Sequence, residues 1–145
     1  MPPDIQAFVS PDVQAFAIGF PVALLQAIIT LLILLGAVMV HGLLSPHKEV
    51  EQIREGNPAA AVAFGGVVLA LALPLSRALS SSTTALETAI WGLAAAVVSL
   101  LIFRLIDMLL KGLPQRVAEG EVAAAALLVA AKIASGMVLA AAFSG

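Results

Sequence analysis

Four runs of roughly twenty apolar residues decide what this chain can become, because a helix needs about that many to cross some 30 Å of hydrocarbon. They cover residues 18–44, 58–79, 90–110 and 122–143. The first contains no charged side chain, and the second meets one only at Arg77, near its far end. Hydrophobic residues make up 61% and charged residues 11% of the 145, against roughly 45–50% and about 25% in soluble domains. Seven basic and nine acidic side chains cannot cover the apolar surface of a water-soluble fold of this length. The sequence therefore predicts an all-α membrane protein with four transmembrane helices.

The first run is read as a retained span rather than a signal peptide. Asp4 and Asp12 precede it, no basic residue does, and no small-residue cleavage site follows. Residues 1–17 are expected to form a periplasmic interfacial segment, in which Asp4-Ile5-Gln6-Ala7-Phe8 is echoed by Asp12-Val13-Gln14-Ala15-Phe16. Basic residues in short loops set orientation. Lys48 and Arg54 follow the first span, Lys111 and Arg116 follow the third, and Arg77 alone lies on the other side. Both termini are accordingly expected outside.

The two halves resemble each other at an offset of 64. Glu55-Gly56 and Ala59-Ala60-Ala61 return as Glu119-Gly120 and Ala123-Ala124-Ala125, and Leu75, Ala78 and Ser80 return as Leu139, Ala142 and Ser144. Residues 18–82 and 88–145 thus read as two copies of a two-helix unit. Each unit crosses twice, so the copies share one orientation and are related about the membrane normal, as parallel repeats. Small residues four apart recur in spans two and four, as in Ala61/Gly65, Gly66/Ala70, Ala126/Ala130/Ala134 and Gly136/Ala140. Gly65, Gly66 and Gly136 are the expected points of close helix approach, within one bundle or between subunits.

Several of these residues carry a resemblance. Ile53-Arg54-Glu55-Gly56-Asn57 with the alanines behind it, Gly65, Leu73-Pro74-Leu75, Ser80-Ser81-Ser82, Trp91-Gly92, Gly112-Leu113-Pro114 and Glu119 occur in an order and spacing that resemble the YjfL-like family of bacterial inner-membrane proteins. The resemblance spans about residues 20–145. It implies a duplicated two-helix domain of unknown function in the bacterial inner membrane, and no reaction. The Asn that opens the second helix of a family unit is kept at Asn57 and replaced by Glu121 in the second copy.

Charge inside a span is costly and marks a functional hypothesis. Lys132 lies ten residues into span four, close to the bilayer centre. Arg104 and Asp107 share a face of span three, and Lys111 continues it. Asp107 can be neutralised by Arg104 or Lys111, or be reached by the long stem of Lys132. Glu121, Ser135 and Gly136 are expected to extend a polar stripe through Lys132. In span one, Gln26, Thr30 and His41 share a face, and a histidine there raises the expectation of a proton-linked role. The segment holding His47, Lys48, Glu49, Glu51, Arg54 and Glu55 reads as a solvated loop, and Asn57 before Pro58 reads as a helix cap.

The absent classes narrow the rest. Without cysteine, thiolate metal sites and disulfides are excluded, and two histidines make a metal site an unfavoured reading. No phosphate-cradling glycine motif and no basic cluster occurs, so neither a nucleotide cofactor nor nucleic acid is expected. No nucleophile–base pair shares one depth, so the chain is expected not to be an enzyme and to need no cofactor. Two functions stay open. One is a homo-oligomeric or accessory membrane subunit, self-associating in the bilayer or joined to another membrane or cytoplasmic protein. The other is a small oligomeric ion channel or transporter using Lys132, Arg104 and Asp107.

Overall fold

The computed structural model describes residues 10–143. The first copy of the Asp-Ile-Gln-Ala-Phe echo and most of the expected interfacial segment lie outside the described residues, as do 144 and 145. The described chain is helical, with no strand: α1 (Pro11–Leu44), α2 (Glu49–Arg54), α3 (Pro58–Ser81), α4 (Ala85–Leu109), α5 (Leu113–Ala118) and α6 (Val122–Ala142). α1, α3, α4 and α6 are long and apolar enough to cross a membrane.

α1 begins ahead of residue 18. Pro11 stands at its first turn with Asp12 beside it, both favourable at a helix start. Residues 11–17 therefore continue the span as helix instead of forming a separate segment. At about 1.5 Å per residue its 34 residues extend roughly 51 Å, well past the hydrocarbon.

The two connections expected as loops contain helices. α2 and α5 are six residues each, and both open on a left-handed residue, Lys48 with φ 49° and Gly112 with φ 87°. Their starts and ends are offset by 64, as are the positive-φ glycines that follow them, Gly56 and Gly120. The spans they lead into start at Pro58 and Val122, offset by 64 again.

Pairing runs across the halves. α3 packs most extensively on α6, and α1 packs on α4. On the α3–α6 seam Gly66 faces the Val129 side chain, and a Cβ on Gly136 would sit 2.5 Å from the Ala70 carbonyl oxygen. Residue numbers rise together along that seam, so the two helices are parallel. The same holds for α1 and α4, where Ile33 meets Gly92 and His41 meets Phe103. Gly65 does not share the seam: it is exposed, and a Cβ there would meet nothing within 4 Å. It faces outward because it stands one residue, about 100° of helix turn, from Gly66.

Val67, Ala70, Leu71, Leu75, Ala95, Ala96 and Phe103 form the central core with Ala37. A second cluster of Ala59, Ala63, Val117, Ala124, Ala125 and Leu128 lies beside the short helices. α1 is the peripheral member, since it buries only Gln26, Ala37 and His41. Its apolar outer side chains suit lipid, where helices need no water-facing polarity.

Candidate functional site

α6 buries one stripe at four-residue spacing: Ala124, Leu128, Lys132, Gly136 and Ala140. Lys132 is the charged member of an otherwise small and apolar row, and it is 4% exposed. Its ammonium lies 2.9 Å from Asp107 Oδ1 on α4 and donates to Oδ2 at 3.2 Å. It also stands 5.8 Å from the centroid of the buried Phe103 ring. A buried charge demands such a counter-charge, because leaving either group alone in a low-dielectric interior costs several kcal/mol, of order 3–5. Of the alternatives for neutralising Asp107, the geometry selects Lys132. Arg104 is exposed and donates instead to the Leu44 carbonyl at 3.3 Å, tying α4 to the end of α1. Lys111 is exposed and forms no ion pair with Asp107.

A second buried pair lies nearby. His41 Nε2 stands 3.5 Å from Glu49 Oε2, with side chains 8% and 14% exposed, and His41 meets the edge of Phe103. Glu49 thus departs from the solvated-loop reading. α2 begins there, and its first turn directs the carboxylate inward onto α1. His41 Nε2, Glu49 Oε2 and Asp107 Oδ1 all lack a hydrogen bond.

The two carboxylates border a cavity of about 220 Å³, lined by Glu49, Gln52, Arg104, Asp107 and Lys132 among others. α2 and α5 frame it, so it opens at the short-helix end of the bundle. Beyond Lys132 and Phe103 the interior holds Val67, Leu71, Leu75, Ala95 and Ala96, with Thr88 buried near the other end and donating to the Thr84 carbonyl. Ser99, also buried there, spends its hydroxyl on the Ala95 carbonyl of its own helix.

Asn57 does more than cap. Its Oδ1 accepts from the backbone of Ala59 and Ala60, as expected for a helix start. Its Nδ2 donates to the carbonyls of Val117 and Ala118 at 3.0 and 3.2 Å, satisfying the end of α5 from the other half of the chain. Glu121 holds the matching position before α6 but makes no side-chain cap. It accepts two hydrogen bonds from Arg116, which raises the guanidinium pKa above its usual value. It therefore sits at the helix end, about 16 Å along the axis from Lys132, and does not extend a polar stripe through it. Ser135 is half-buried and donates to the Lys132 carbonyl. Gln26 is buried and donates to Ser82, while Thr30 donates to the Gln26 carbonyl. Among the described residues no group of three or more His, Asp or Glu converges as metal ligands would.

A family model described as Domain of Unknown Function (DUF350) matches residues 15–143. UPF0719 inner membrane protein YjfL of Escherichia coli strain K12 is 29% identical over 98 residues, which is 68% of this chain and 74% of that relative. The protein of the same name from Escherichia coli O157:H7 matches to the same extent. No solved structure matches. With the family model covering nearly the whole chain and four apolar helices beneath it, this multi-pass inner-membrane protein belongs to the DUF350 family.

Proposed function

We propose that the chain is a non-catalytic membrane subunit, acting as a homo-oligomer or as an accessory to another membrane protein. One observation carries this reading. The cavity ends at the Lys132–Asp107 pair, and the core beyond it is apolar apart from Ser99 and Thr88, whose hydroxyls are bonded to carbonyls of their own chain segment, so among the described residues no continuous row of charged side chains crosses a single protomer. The pair then serves as an inter-helix link. Outward faces remain for association, including Gly65 with Ala61 on α3 and Ala126, Ala130 and Ala134 on α6, all exposed small residues.

In this reading the protein is two parallel two-helix repeats with both termini outside. The offset of 64 shared by the short helices, the left-handed residues and the span starts supports duplication. The parallel α3–α6 seam suits a symmetry axis along the membrane normal. Lys48, Arg54, Lys111 and Arg116 at the short-helix end support a cytoplasmic location for it.

The test is the native mass of the complex extracted in mild detergent from its own host, with co-purifying chains identified. A stoichiometric foreign chain supports the accessory form and a self-only oligomer the homo-oligomeric form. An isolated monomer overturns both. A second reading, a channel or transporter, draws on the cavity that exposes Asp107 and Lys132 to one side. It requires replacement of Lys132 and Asp107 together by leucine, the variant expected to stay folded, to alter flux in liposomes while assembly stays intact.

A further inference from the structure

The outer face of the α1–α3 half carries a groove of about 700 Å³. Leu35, Val38, Met39 and Leu43 of α1 wall it, with Phe64 of α3 opposite. Gly42 leaves its floor open, since a Cβ there would meet nothing within 4 Å. The α1 wall runs about 12 Å along the helix and ends where α2 begins. There the lining changes from apolar to charged, at Lys48, Glu51 and Arg54. That is the profile of a membrane–water interface seen from the lipid side.

The rim charges are available. Glu49 is turned inward to His41. Lys48 and Glu51 pair at 3.1 Å but are 77% and 60% exposed, so their contact is weak and exchangeable. The Arg54 guanidinium makes no ion pair among the described residues. Lys48 also holds a left-handed backbone at φ 49°, a conformation that strains a non-glycine residue. At the matching turn of the second half the chain uses Gly112, and Ala118 stands opposite Arg54. The first half thus keeps cations at two positions where the second has Gly112 and Ala118 and carries its own basic residues at Lys111 and Arg116 instead.

We propose that this groove holds one zwitterionic aminophospholipid, with an acyl chain on the apolar wall, its phosphate on Arg54 and Lys48, and its ammonium on Glu51. The mixed rim decides the headgroup. Two cations suit a phosphate, and once Lys48 turns from Glu51 to that phosphate, a headgroup amine takes the place of Lys48 on the Glu51 carboxylate.

The test reconstitutes the protein in vesicles of equal parts phosphatidylethanolamine and phosphatidylglycerol, then measures lipid adducts by native mass spectrometry. One phosphatidylethanolamine per protomer is expected. Arg54→Ala should weaken its retention about tenfold, the loss of one charge-assisted contact. Lys48→Gly should weaken it as well, and because glycine relieves the left-handed strain, that variant folds at least as well as the parent. Arg77→Ala, on an exposed cation at the other end of the bundle, should leave retention unchanged. Preference for phosphatidylglycerol, no retained lipid, or equal retention in all variants would each overturn the site.

Discussion

Asp107 and Lys132 join two helices whose main partners lie elsewhere: α4 rests chiefly on α1, and α6 chiefly on α3. The ion pair is therefore a clamp between the two parallel helix pairs, placed where packing between α4 and α6 is modest. Its removal is expected to be felt as loosening of one pair from the other.

Lys132→Leu alone should lower stability by about 3 kcal/mol or more, because Asp107 is left without its counter-charge. Changing both residues to leucine should recover most of that loss, since a neutral apolar contact replaces the pair. Thermal unfolding in detergent checks this. A double variant as unstable as the single one would show that the pair's charge is not what matters.

Glycine substitutions should separate the seam from the outer surface. At Gly136 the obstacle is the Ala70 backbone, which cannot rotate away, so Gly136→Ala should cost about 1–3 kcal/mol. Gly65→Ala adds a methyl group in open space and should leave the monomer unchanged or more stable by up to about 1 kcal/mol. Should Gly65→Ala instead dissociate an oligomer of unchanged monomer fold, the exposed face would be the subunit contact.

Asn57 can be split into its two roles. Aspartate caps a helix about as well as asparagine, yet it has no amide to donate to Val117 and Ala118. Asn57→Asp should therefore destabilise by about 1–2 kcal/mol, comparable to Asn57→Ala. Full stability in the aspartate variant, measured by unfolding, would assign the residue to capping alone.

The absence of cysteine makes orientation directly measurable. Single cysteines at exposed Glu55, beside α2, and exposed Thr83, between α3 and α4, lie at opposite ends of the bundle. A membrane-impermeant maleimide should label Glu55→Cys in inverted vesicles and Thr83→Cys in spheroplasts. The reverse pattern would place both termini in the cytoplasm.

The sequence announces its spans through uninterrupted hydropathy, and the offset of 64 through residues such as Gly56 and Gly120. It does not announce neighbours. Helices that are apolar all round show no favoured face, so nothing in α1 or α4 foretold that they pair with each other. Lys132 was legible as a buried charge because lysine at that depth has few alternatives. That Asp107 takes Lys132 as its partner and not Arg104 or Lys111 needed the crossing of α6 with α4. Glu49 was hidden by its setting among His47, Lys48 and Glu51, since a mixed-charge run looks solvated wherever one member turns inward. The amide of Asn57 was equally silent, for its partners lie 60 and 61 residues away.

The separation of 25 positions between Asp107 and Lys132 also sets a schedule. A ribosome adding about 5–20 residues per second delivers the carboxylate to the membrane roughly one to five seconds before the amine that neutralises it. During that interval α4 has no native counter-charge for Asp107, and its settled position waits on α6. A nascent chain stalled before α6 therefore carries α1, α3 and α4 with an acid still facing water or the insertion machinery.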